Sequence, residues 1–441
     1  MKLRYLVESL WIFLLFLPAS FVQAQTPPET SLQELKAQIE MLKAEYQKRI
    51  QSLEAQVDEL QIRMLQAPES ETSAPAQPAV QVTPGVLNPA ISVIGNFFGR
   101  IDSEKVLNEE GDRIDDKMNL RETEIDMRVA VDPYADAVLI TALESEFPGE
   151  FEVGVEEGYV NLKKLPFFES SPLGLKLKVG RFRPLFGKTN ILHTHDLPSS
   201  TRPLPVEEFL GDEGFVQNGV SANLFIPTPW DAASSLDATI EVMDGGSIAL
   251  SPQKEARISY LGHLRWFRTF GGGHDLELGW STYFHPSGST VNEASAHNVD
   301  FLYRWKPYRQ GQWKSFLMGA EFLFAPETTV EVEDLEMLSA NVLQEEQSTP
   351  TGFTAFGQWQ FDRRVYAGLR YDQTDTLLDP QLQRTSITPY VSYYFSEFLR
   401  FRVNYEHRWS DLPEEDGRNS IFFELNWVFG SHPPEPYWVN K

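Results

Sequence analysis

The sequence contains no cysteine. That excludes disulfide frameworks, thiolate metal sites and thiol nucleophiles together. Basic charge is scarce: 38 Lys and Arg stand against 63 Asp and Glu, for a formal net charge of −25. A nucleic-acid binder needs a basic face to neutralise phosphates, so that class is set aside. Histidine is thin, eight in 441 residues. No G-x-S-x-G, H-E-x-x-H or P-loop stands in the sequence, so no familiar catalytic motif marks an active site. The chain is therefore read as a non-enzyme without cofactor. Long apolar runs are missing as well. Beyond the first two dozen residues nothing approaches the ~20 apolar residues that a spanning helix needs. A mature chain that enters a membrane must then do so as a barrel.

The beginning of the chain reads as an address. Lys2 and Arg4 precede an apolar run from Leu10 to Val22, and Val22-Gln23-Ala24 offers the small residues of a signal-peptidase site. Residues 1–24 are expected to be a signal peptide, cleaved after Ala24. Residues 25–66 follow as a helix. Leu32, Leu35, Ile39, Leu42, Tyr46, Ile50, Leu53, Val57, Leu60 and Met64 recur at steps of three and four. Two fours run together at Leu42, Tyr46 and Ile50, which is a stutter in a coiled-coil seam. Such a narrow stripe favours self-association over a lone helix on the surface. Residues 67–89 hold Pro68, Pro75, Pro78, Pro84 and Pro89 among small polar residues; this composition gives an extended linker without a core.

From residue 90 the period changes to two. Leu399, Phe401, Val403, Tyr405, His407 and Trp409 alternate with Arg400, Arg402, Asn404, Glu406 and Arg408. Ile421, Phe423, Leu425, Trp427 and Phe429 alternate with Phe422, Glu424, Asn426 and Val428. Aromatics on one face and charge on the other, over about ten residues, fit a tilted membrane strand with a lipid wall and a wet lumen. About sixteen such segments (fourteen to eighteen) can be placed over 90–430. Their connections alternate between short and long, as Asp132-Pro133-Tyr134-Ala135 and Gly271-Gly272-Gly273 do against 184–216 and 326–350. Short periplasmic turns and long external loops produce that parity. The expected fold is all-β: a transmembrane antiparallel β-barrel of about sixteen strands, preceded by a short coiled-coil helix and followed by a tail at 431–441. The strand from Val153 to Leu162 loses its alternation at Glu157, where a bulge or a shifted register is expected.

The inward faces nominate pore-lining residues: Arg128, Lys176, Lys178, Arg257, Arg265, Arg304, Lys306, Arg370, Arg400, Arg402 and Arg408. Fewer acids share those faces, and basic rings favour anions; two readings stay open, an anion preference and paired lumen charges that only brace the wall. The long loop 184–216 holds His193-Thr194-His195-Asp196, with Arg202 and three prolines following. Two imidazoles at i and i+2 beside a carboxylate could share a metal. Hydrogen-bonded or solvated loop histidines are the commoner case, so no metal is assigned. The acidic loops at 102–116 and 327–346 read as solvated external surface.

The stretch Val179-Gly180-Arg181-Phe182-Arg183-Pro184-Leu185-Phe186-Gly187-Lys188, together with the order of signal, coiled coil, Pro-rich linker and barrel, resembles the phosphate-selective porin O and P family. The resemblance implies an outer-membrane channel for passive diffusion of small hydrophilic solutes. It also implies a homo-trimer, with lipid and lipopolysaccharide as surroundings and the coiled coil in the periplasm. In sixteen-stranded porins the third external loop folds into the lumen, and 184–216 is third in the count. His193, His195, Asp196 and Arg202 are then expected at a constriction. No lumenal arginine ladder is matched residue by residue, so phosphate specificity is not carried over. Two rivals stay open: a substrate-specific receptor for a metal or siderophore, and a structural or adhesive barrel. A receptor needs a folded plug domain, and residues 25–89 offer only a helix and a linker.

Overall fold

The computed structural model describes residues 89–107, 113–145, 151–165, 173–245, 258–286, 294–326, 349–377, 379–413, 415–431 and 433–439. The signal segment, the coiled-coil helix and the linker up to residue 88 lie outside the described residues, as does Arg257.

Sixteen strands run in order: β1 (Ala90–Asp102), β2 (Met118–Asp132), β3 (Ala135–Glu144), β4 (Glu152–Leu162), β5 (Lys176–Phe182), β6 (Gln217–Ile226), β7 (Ser234–Met243), β8 (Ser259–Phe270), β9 (His274–His285), β10 (Ala294–Trp305), β11 (Ser315–Phe324), β12 (Thr351–Asp362), β13 (Val365–Asp375), β14 (Gln383–Ser396), β15 (Leu399–Ser410) and β16 (Asn419–Gly430). Each pairs antiparallel with its neighbours in sequence, and β1 pairs with β16 from Ser92↔Gly430 to Asp102↔Ser420. The sheet is closed, so no strand edge is left without partners.

The usual sidedness of a soluble protein is inverted. Exposed side chains on the strands include Val153, Ile240, Phe361, Val391, Phe401 and Ile421, whereas Asp300, Asp372, Arg402, Asn404 and Glu424 are fully buried. Buried charge with exposed aliphatic and aromatic surface is the informative combination, and it follows the period-two pattern strand by strand. At the end carrying the short turns, outward rings cluster: Trp305 lies 5.7 Å from Trp359, and Phe316 lies 6.0 Å from the same ring.

Besides the register shifts beside the turns at Asp132, Asp362 and Ser396, β-bulges within β2 and β4 break the alternation. Asn96 pairs with Glu122 and Phe97 with Leu120, so Arg121 is an extra residue on β2. Ile140 pairs with Glu157 and Thr141 with Val155, so Glu156 is an extra residue on β4. Each bulge turns two consecutive charged side chains toward the interior, Arg121 with Glu122 and Glu156 with Glu157. The break expected at Glu157 is thus a bulge rather than an error of register.

The interior is occupied by chain. After β5, residues 183–216 cross it, with a 3-10 turn at Thr194–Asp196 and a short helix, α1 (Leu204–Leu210). Pro205 opens α1 where a missing N–H costs nothing, and Gly211 closes it at φ 95°, donating its N–H to the Glu207 carbonyl at 2.8 Å. Phe186, Val206, Phe209, Leu210 and Phe215 of this segment pack with the inward Met243, Leu261, Tyr283 and Leu323. Gly187, at φ 76°, brings the backbone so near Glu321 and Asn298 that an added Cβ would collide with both side chains. A second cluster joins Leu192 and Leu197 to the wall residues Leu302, Leu317, Tyr366 and Tyr394, and to Trp438 of the tail. Residues 433–439 therefore do more than trail beyond β16: from the short-turn end they fold back inside.

Candidate functional site

The crossing segment is tied to the wall through polar groups that each strand supplies by its inward parity. On one side, Glu321 of β11 accepts the N–H of Thr189 at 2.7 Å. Lys188 pairs with Glu277 of β9. On the other, Arg121 donates to the Ser200 carbonyl at 2.8 Å. Arg370 donates to the Ser199 hydroxyl and, at 2.5 Å, to the Thr201 carbonyl, while pairing with Asp372 at 2.8 Å. Arg400 spans the His195 carbonyl and Glu424, both at 2.6 Å, and Arg402 reaches Ser392 at 3.0 Å and Glu424 at 3.3 Å. Glu208 of α1 pairs with Arg384 at 2.6 Å. A loop held at so many points around the wall narrows the lumen as a fixed structure.

The tail adds a second obstruction. Trp438 donates from Nε1 to the Asp196 carbonyl at 2.5 Å, and its own carbonyl accepts from Gln358 at 3.1 Å. The Arg400 and Arg402 guanidinium carbons lie 5.6 and 5.3 Å from its ring centroid, within cation–π range. Tyr437 faces Lys188 at 5.7 Å. Tail and loop thus meet at Asp196.

His193 and His195 are not solvated. They are buried at 7% and 4% exposure, among carboxylates from β2 and β4. His193 Nε2 lies 2.9 Å from Glu157, and its Nδ1 lies 3.0 Å from Glu156 and 3.1 Å from Glu124. His195 Nδ1 lies 3.3 Å from Glu122 and 3.7 Å from Glu124. Arg183 closes the group, pairing with Glu156 at 2.5 Å. Burial alone would make the His195 imidazole harder to protonate, but Asp196, Glu122 and Glu124 outweigh it and raise the ring to about 10. His193 moves the same way: burial opposes its charge, and Glu124 and Glu156 overcome that against Arg183. Arg202, deeply buried with Arg183 nearby, is lowered to about 10 and stays charged at neutral pH; it donates to the Asp212 carbonyl at 2.8 Å.

No protein-family model matches the chain. An uncharacterized protein of Aquifex aeolicus (strain VF5) is 26% identical over 347 residues, spanning 72% of this chain and 70% of that one. Among solved structures, an anion-selective porin from Comamonas acidovorans shares 10% identity over 78% of this chain and 99% of its own, with a TM-score of 0.49. The outer membrane channel DcaP of Acinetobacter baumannii shares 11% over 77% of this chain and 97% of its own, with a TM-score of 0.47. At these identities no property of either protein carries over to this chain.

Of the residues expected to line a pore, Arg370, Arg400 and Arg402 are buried within the barrel. Arg128, Arg265 and Arg408 face in and are half-buried, each beside an acid: Asp126 at 2.9 Å, Asp237 at 2.7 Å and Glu406 at 3.1 Å. Lys178 points at the Tyr159 and Phe182 rings, 4.6 and 5.3 Å away. Arg304 shares the inward parity of Asp300 and Leu302, and Lys306 lies just past the end of β10. Lys176, at the start of β5, is exposed. The expected basic excess does not hold. Glu122, Glu156, Glu157, Glu241 and Glu321 are also buried inside. The bulge on β4 hid one of Glu156 and Glu157 from a strict alternation; Glu122 shares the parity of Glu124 and Asp126, and Glu241 and Glu321 sit on strands whose charge was not counted. Arg128, Arg265, Arg370, Arg400, Arg402 and Arg408 each lie within ion-pair distance of a carboxylate, so the interior carries charges of both signs.

Proposed function

We propose that the protein is an outer-membrane channel through which small hydrophilic solutes diffuse passively. The observation that carries this reading is the inversion of the barrel: an apolar outer face over a charged interior crossed by a pinned loop. A hydrocarbon surround accounts for the outward aliphatics and the aromatic cluster at one rim, and a lumen of sixteen strands is too wide for wall side chains to fill. The end with long connections faces outward against lipid and lipopolysaccharide; the short turns and both termini face the periplasm. Assembly is a homo-trimer in which residues 25–66 form a periplasmic coiled coil. Solutes are sieved where loop 183–216 and the tail meet, at His195, Asp196 and Trp438. No chemical step is involved. Because inward charges of both signs alternate around the wall, selectivity between small anions and cations is weak. Single-channel recording of the folded mature chain in a planar bilayer under a salt gradient tests this. Stable ohmic steps with a small reversal potential are expected. Silence from protein shown to be folded and inserted would overturn the channel in favour of a plugged receptor or a structural barrel.

A further inference from the structure

The histidine–carboxylate group beneath the loop has the composition and spacing of a metal centre. His193 Nδ1, His195 Nδ1 and the Oε2 atoms of Glu122, Glu124 and Glu156 approach one another at 3.0, 3.1, 3.3 and 3.7 Å across the contacts between imidazole and carboxylate. Ligands bound at about 2.0–2.2 Å to one ion in tetrahedral or octahedral geometry lie roughly 3.0–3.5 Å apart. Three of these four contacts fall in that range, and the donors form two groups that share Glu122, one with Glu156 and His193 and one with Glu124 and His195, each within 4.8 Å throughout. We propose that Glu122, Glu124, Glu156, His193 and His195 hold one divalent first-row transition-metal ion.

Three further observations point to the same place. His193 Nδ1 and Glu124 Oε2 face each other without the alignment of a hydrogen bond, and neither atom makes one elsewhere among the described residues. Both side chains are more than nine-tenths buried, where an unsatisfied polar atom is costly. Second, the extra residue of β4 is Glu156 itself. Without that bulge, strict alternation would send Glu156 or Glu157 to the lipid face, so the wall gives up a regular ladder to aim both carboxylates at His193. Bulges of this kind re-aim side chains at functional sites. Third, four carboxylates, Glu122, Glu124, Glu156 and Glu157, gather around the two imidazoles, with Arg183 paired among them. Glu122 and Glu124 form ion pairs only with the two imidazoles among the described residues, while Arg183 faces Glu156. The positive charge demanded at the imidazoles comes from two protons or from one divalent ion, which displaces those protons when it binds.

The donor set selects the class of ion. Two imidazoles exclude a site built for Ca²⁺ or Mg²⁺, which take oxygen ligands, and mixed nitrogen and carboxylate ligands suit Zn²⁺, Mn²⁺, Fe²⁺, Co²⁺ or Ni²⁺. A cavity of about 40 Å³ between β1, β15, β16 and the tail is lined in part by His195 and Asp196. Once bound, the ion fastens the loop to β2 and β4.

The test uses the untagged full chain folded in detergent, stripped with a chelator and then dialysed against Zn²⁺ or Co²⁺. The site predicts one Zn²⁺ per chain and a visible Co²⁺ absorption band. His193→Gln and His195→Gln should each weaken Zn²⁺ binding at least tenfold, with folding checked by electrophoretic mobility before and after boiling. Glu241→Gln, elsewhere on the inner wall, should leave binding unchanged. If the histidine variants do not fold, Glu124→Gln probes the same centre and should show the same loss. Folded wild-type protein that takes up no Zn²⁺, or site variants that bind as tightly as wild type, would overturn the proposal and leave a proton-neutralised ion-pair network. Binding is read without a bilayer, so a pore that proves silent leaves this result standing.

Discussion

At the scale of a single residue, the lumen can be probed through Glu207. It sits on α1, and burial pushes its carboxyl up to about 7; Asp212 and Glu406 push the same way, while Arg408 and Arg384 pull it down. A carboxyl in the unfolded chain titrates near its ordinary value of 4.5. The folded state therefore keeps a proton that the unfolded state has released, and binds more protons between those two values. Stability from this group is fully present below the unfolded value and is lost as pH rises through about 7. Thermal melts of the detergent-folded barrel across that window should show wild type losing stability relative to Glu207→Gln, with a constant difference above and below it. A difference that stays flat throughout would mean that Glu207 titrates like an exposed carboxylate. In the same loop the histidine pair is enclosed and hydrogen-bonded, with partners on strands 36 and 73 residues away in the chain. No local pattern around His193 could have named Glu157, Glu156 or Glu122.

At the scale of the element, the period-two alternation carries nearly all of the structure. Val403 on β15 is 39% exposed between the buried Arg402 and Asn404, so an arginine placed there must meet hydrocarbon near mid-strand. Val403→Arg should cost ~2–4 kcal/mol and sharply reduce the folded fraction in lipid vesicles; insertion equal to wild type would reverse the facing of the whole strand. The faces of β15 and β16 were legible in the sequence because Phe, Val and Tyr alternate with Arg, Asn and Glu without a break. The alternation of short and long connections gave the order of strands and the end at which each loop lies, including the segment that enters the barrel. What stayed hidden follows from one physical fact: an extra residue in a strand reverses every facing beyond it. At Arg121 and Glu156 the chain inserts such residues, bringing an arginine inward on β2 and a second carboxylate inward on β4. On β4 a lapse in alternation at Glu157 was visible, although nothing local showed that both neighbours would turn in.

At the scale of the molecule, the barrel is a closed ladder obstructed from both ends, by a loop from one side and a tail from the other. The two obstructions differ in what they support. Loop 183–216 contributes Phe186, Phe209 and Phe215 to the interior core, so its removal would unpack the wall. The tail begins after Gly430, where the ladder to β1 is already complete, and it adds chiefly Tyr437 and Trp438. Removing residues 433–441 should therefore spare folding and enlarge the passage. Trp438 is 2% exposed and covers Arg400 and Arg402, two guanidiniums that share the single carboxylate Glu424. Taking the indole away uncovers a net positive patch at the periplasmic side of the loop. Single-channel steps of the truncated chain should rise at least twofold, and its reversal potential should move toward anions. Trp438→Ala should move both in the same direction by less, since Tyr437 remains. Unchanged conductance in a folded truncation would place the tail outside the route that ions take. Larger steps without the anion shift would place Arg400 and Arg402 outside it.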